Sequence, residues 1–90
     1  MHNDERRLLG NLLDAFDRLF DEQANVVDVE ALIFATAMAL RDSPRRQTML
    51  SVASVLRELM RAGDPQPANE QRARALEVTD SLRLDLAAIL

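Results

Sequence analysis

The sequence predicts an all-α protein: a compact antiparallel four-helix bundle with a buried second helix, in one domain spanning residues 1–90. Three observations predict it. Apolar residues recur at spacings of three and four in three separate segments, the mark of one helical face. Between the first two lies Ala31 to Leu40, where Thr36 is the only polar side chain. The segments are separated by short breaks, and no alternating run of the kind that marks a strand occurs. Four helices joined by short connections give an antiparallel bundle.

The first helix is expected over residues 3–21. Asn3 suits its cap, and Asp4 and Glu5 suit the positive end of the helix dipole. Leu8, Leu9, Leu12, Leu13, Phe16, Leu19 and Phe20 form its apolar stripe. Gly10 weakens it locally by up to about 1 kcal/mol relative to alanine, and either faces away from the stripe or admits a close neighbour. Residues 22–27 connect to the second helix, which is expected to start at Asp28 as N-cap, with Val27 and Leu32 as a hydrophobic staple, and to end near Arg41. An apolar run of this kind is too short for a bilayer, which needs about 20 residues. A helix apolar nearly all round must be enclosed by others, and Ala31, Ala35 and Ala39, four apart, would admit a close neighbour.

Ser43-Pro44 restarts the chain, with serine as N-cap and proline at the first helical position. The third helix then runs to about Ala62 on a stripe of Met49, Val52, Ala53, Leu56, Leu59 and Met60. Gly63 suits a left-handed helix end, and residues 63–69, GDPQPAN, form the clearest break. The fourth helix begins near Pro67 to Asn69 and runs almost to Leu90. Ala75, Leu76, Thr79, Leu82, Leu86 and Ile89 line one side, while Val78, Leu84 and Leu90 fall partly off it.

Composition excludes several chemistries. There is no cysteine, and the one histidine, His2, sits at a terminus. Disulfides, thiolate chemistry and most transition-metal sites therefore lack ligands. All 11 basic residues are arginine, so a serine–lysine pair is unavailable. Carboxylate pairs such as Asp14 with Asp17, or Glu77 with Asp80, lie on helix surfaces, where acids are ordinarily solvated. Residues 15–32 resemble a calcium-binding helix-loop-helix, with Asp21, Gln23 and Asn25 at ligand spacing. However, Val26 stands where the turn needs glycine, and Leu32 where calcium needs a bidentate glutamate. The expectation is no cofactor, no metal and no enzymatic activity. The first residues carry acids rather than a secretory leader's apolar run, so the expected compartment is the cytoplasm, with no membrane partner.

Charge is unevenly spread. Residues 1–30 hold eight acids and three arginines, whereas residues 31–90 hold seven acids and eight arginines. Such an acidic first third, in a chain without Trp or Tyr, argues against nucleic acid and fits a protein partner with a basic surface. The candidate partner-binding residues are Asp14, Asp17, Asp21, Glu22, Asp28 and Glu30, which gather on the first helix, the connection and the second helix's entrance. With the acidic segment DAFDRLFDE at 14–22 and the turn NVVDVEAL at 25–32, the chain resembles the small acidic immunity proteins of bacterial toxin systems. That resemblance implies binding and neutralising a cognate toxin. Two other readings stand beside it. One is a homodimeric structural or regulatory protein, using the apolar surplus of the second helix with Val78, Leu84 and Leu90. The other is a helix-turn-helix-like DNA-binding regulator, with Arg45 and Arg46 at the start of a recognition helix.

Overall fold

The computed structural model describes residues 3–61 and 68–90, with Ala68 and Asn69 described in their backbone alone. Four helices follow one another: α1 (Asn3–Phe20), α2 (Val26–Ala39), α3 (Arg46–Arg61) and α4 (Ala68–Ile89). They form the predicted four-helix bundle. Around the ring, α2 packs on α1 and α3, and α4 packs on α3 and α1; α2 and α4 touch lightly across one diagonal. Cross-bundle ion pairs report the antiparallel sense: Arg45 at the start of α3 meets Asp85 near the end of α4 at 2.8 Å. The expected Gly63 helix end and the GDPQPAN break fall largely on residues 62–67 and lie outside the described residues.

The core follows from the stripes. Leu9, Leu12, Phe16 and Leu19 of α1 meet Val26, Val29, Ile33 and Ala37 of α2, Met49, Ala53 and Leu56 of α3, and Ala75, Leu82 and Leu86 of α4. Each large side chain buried in this way contributes roughly 1.5–3 kcal/mol. Two buried threonines need no partner from another helix. Thr36 Oγ1 donates to the Leu32 carbonyl at 2.7 Å, and Thr79 Oγ1 to the Ala75 carbonyl at 2.8 Å.

The termini differ from expectation in instructive ways. After Phe20 the chain closes with a Schellman arrangement: the Gln23 amide donates to the Arg18 carbonyl (2.7 Å) and the Glu22 amide to the Leu19 carbonyl (3.3 Å). That geometry needs a left-handed residue, and Glu22 supplies it at φ 63°, without glycine. The cap of α2 is Asn25, not Asp28, because Val26 is drawn into the core and starts the helix earlier. Asn25 holds the extended cap conformation but makes no side-chain cap bond, and Asp28 lies in the first turn, where it can only complement the dipole. Val27 is 55% exposed, so no staple with Leu32 forms there. Regular α3 starts at Arg46, after a tight turn in which Ser43 accepts twice: at Oγ from the Arg45 amide (3.2 Å) and at its carbonyl from the Arg46 amide (3.1 Å).

The second helix is enclosed less completely than its composition predicts. One side is core, but Phe34 is 41% and Met38 43% exposed, and Ala31, Ala35 and Ala39 are exposed with them. The alanine row therefore receives no neighbour from within the described chain. Gly10 likewise admits none: a Cβ built there meets nothing within 4 Å.

Candidate functional site

The six acids singled out by charge fall in three different settings. Asp14, Asp21 and Asp28 are exposed, on the last turns of α1, just beyond it, and in the first turn of α2. Among the described residues Asp14 has only its own helix neighbour Arg18 within ion-pair range, at 3.1 Å. Asp17 and Glu22 are exposed but held by α4: Arg83 reaches Asp17 at 3.1 Å and Arg72 reaches Glu22 at 2.7 Å. Glu30 is different again. Its side chain is 11% exposed and receives both Nε (3.2 Å) and Nη2 (2.7 Å) of Arg57 on a single carboxylate oxygen. A carboxylate this enclosed joins α2 to α3 and leaves little surface for a partner.

Two of these pairs share a design. Arg57 lies over the Phe34 ring at 5.5 Å while bonding Glu30, one turn earlier on α2. Arg83 lies over the Phe20 ring at 5.3 Å while bonding Asp17, three residues earlier on α1. In each, an acid and an aromatic ring on one helix are clamped by an arginine from a helix packed beside it. Partly exposed contacts of these kinds are each worth about 0.5–1 kcal/mol. The spacings Asp17-x-x-Phe20 and Glu30-x-x-x-Phe34 were legible in the sequence, but nothing there named the arginine that closes each clamp.

The acidic first third is thus partly a complement to the chain's own second half. Arg57, Arg72 and Arg83 fold back on Glu30, Glu22 and Asp17. What remains is a smaller set, Asp14, Asp21 and Asp28, exposed and not bound by an arginine of α3 or α4 among the described residues. The arginines at the start of α3 are occupied too. Arg45 is bonded to Asp85, and Arg46 is half-buried, with its Nε enclosed and unpartnered among the described residues. Arg45 is thereby held by α4 through Asp85.

The shallow clefts formed by the described residues include three. One is lined by Phe20, Leu76, Glu77, Asp80 and Arg83; a second by the start of α1 and the α2–α3 turn; a third by the α1–α2 connection with Met60, Gln71 and Arg72. Among the described residues no group of three or more His, Cys, Asp or Glu is arranged to hold a metal ion. No described helix is long and apolar enough to cross a membrane. Comparison with protein families, with curated proteins and with solved structures finds no match to this chain.

Proposed function

We propose that the chain is a small cytoplasmic protein-binding module that acts without catalysis, and that its partner brings a basic surface to the corner formed by the end of α1 and the start of α2. The observation that carries this reading is the exposed trio Asp14, Asp21 and Asp28, flanked by Asp17 and Glu22. Exposed carboxylates on short, well-packed helices steer a cationic partner and accelerate encounter, and they do so most strongly at low salt. The small immunity proteins of toxin systems offer the biological form of this reading: the module occupies a basic surface of a toxin and blocks its action.

The test is co-purification with the product of the adjacent gene, followed by charge reversal. Asp14→Lys with Asp21→Lys changes two exposed acids and spares the clamps at Asp17 and Glu30. The reading expects the wild-type chain to co-purify and to protect cells, and the double variant to lose at least tenfold in association rate at low salt with its helicity unchanged. Failure to co-purify, or full protection by the folded double variant, contradicts it.

A further inference from the structure

We propose that the cleft between the end of α1 and the middle of α4 receives a lysine or arginine side chain from a protein partner. The cleft has a volume of about 340 Å³, with room for one long side chain, and is lined by Phe20, Leu76, Glu77, Asp80 and Arg83. Two ion pairs bracket it along the antiparallel seam of the two helices: Asp17 with Arg83 at 3.1 Å, and Glu22 with Arg72 at 2.7 Å. In both, α1 supplies the acid and α4 the arginine. Between them the pattern reverses and is left incomplete. Here α4 presents the acids, Glu77 and Asp80, one turn apart and both exposed. From α1 comes Phe20, 59% exposed, and no cation. Arg18, the arginine closest to Phe20 in sequence, is held by Asp14 at 3.1 Å. Among the described residues neither Glu77 nor Asp80 forms an ion pair or a side-chain hydrogen bond, whether with Arg74 one turn before or with Arg83 one turn after.

Charge selects the occupant. An acidic side chain is repelled, and an apolar one covers two carboxylates without pairing them. A basic side chain satisfies both halves of the cleft: its methylenes lie on Phe20 and Leu76 while its cationic head meets Glu77 and Asp80. The Phe20 ring already takes a guanidinium, that of Arg83, at 5.3 Å, so its surface is one that a cation favours. Arg83 itself does not bar the newcomer. Its charge is answered by Asp17, and Glu77 lies six residues before it, about 9 Å along the helix axis. The head therefore docks at the Glu77 end of the cleft.

This inference rests on the basic partner proposed above and adds a seat for it on α4. Asp14 and Asp21 stand three residues before and four after Asp17, on the flank of α1 that Arg83 reaches. A partner drawn by those acids meets the cleft beside them, where one of its basic side chains is held rather than only attracted.

Titration of the full, isotope-labelled chain with Nα-acetyl-lysine methylamide and with Nα-acetyl-arginine methylamide, followed by amide NMR shifts, tests it. At least one of these probes should bind saturably, in the millimolar range expected of so small a ligand, with shifts centred on Phe20, Leu76, Glu77, Asp80 and Arg83. Glu77→Gln with Asp80→Asn changes two exposed acids that hold no ion pair among the described residues. It should raise the dissociation constant roughly tenfold, with circular dichroism unchanged. The uncharged norleucine analogue, a stem without charge, and ammonium chloride, a charge without stem, should leave those amides where they are. Absence of shifts with both probes, or shifts spread evenly over all the exposed acids, overturns the proposal. Equal binding of the norleucine analogue, or indifference to the double variant, overturns it as well. The titration needs no partner, so a failed co-purification strikes the proposed function alone and a failed titration strikes the cleft alone.

Discussion

Glu22 shows how far a single residue can depart from the rule of its position. A helix end closed by a Schellman arrangement normally takes glycine at the left-handed site, because a Cβ there is strained by roughly 1–2 kcal/mol. Here a glutamate at φ 63° occupies it and pays part of that strain back through Arg72. Its exposed ion pair is worth under about 1 kcal/mol. Glu22→Gly should therefore be more stable than Glu22→Ala by about 1 kcal/mol, read by urea denaturation, since alanine loses the pair and keeps the strain. Gly10 is the opposite case. It sits mid-helix with open space where a Cβ would go, so Gly10→Ala should stabilise the protein by about 0.5–1 kcal/mol, with a matching rise in Tm. The sequence raised both possibilities for Gly10, close approach or a face turned away, and only the neighbours' positions decide between them. Thr36 and Thr79 bond carbonyls of their own helices, which keep backbone partners without them. Replacing either with valine should shift stability by less than about 1 kcal/mol.

At the scale of elements, the helices themselves were legible and their relations were not. Stripes of period 3.6 place α1 and α3 within a few residues of their bounds, because each has one apolar face and one solvated face, whereas α4 carries Leu84 on its exposed side and is bounded by the break before it. The α2 run has no such contrast, so it carries no information about which side faces inward. Its composition alone predicts full enclosure, yet a ring of four helices covers only the side turned to the axis. The same absence of contrast hid the true start: Val26 belongs to the core, so the helix begins ahead of Asp28. The clamps are the other element-scale feature. Arg57→Ala strips Glu30 of its guanidinium while leaving that carboxylate nearly enclosed. It should destabilise the bundle by about 1–3 kcal/mol, less than a fully buried pair because Arg57 is half exposed. Replacing both partners, Glu30→Leu with Arg57→Met, should recover most of that loss, and a double-mutant cycle measures the difference.

For the molecule as a whole, the uneven charge of the chain is read differently once folded. An acidic first third suggested a surface aimed outward at a partner. In the bundle Asp17, Glu22 and Glu30 accept arginines from α3 and α4, so half of the six candidate acids tie the helices together, while Asp14, Asp21 and Asp28 face outward without such a partner among the described residues. Sequence order could not separate the two groups, because the separation depends on which helices become neighbours. The same neighbours leave the side of α2 that carries Phe34 and Met38 open. The most direct measurement for the central claim is the association rate of the chain with the product of the adjacent gene, as salt rises from about 50 to about 500 mM. If the acidic corner carries recognition, the rate falls steeply with salt for the wild type, and Asp14→Lys with Asp21→Lys lowers the low-salt rate and flattens the slope. A rate that ignores salt, or a double variant that associates as fast as the wild type, contradicts it.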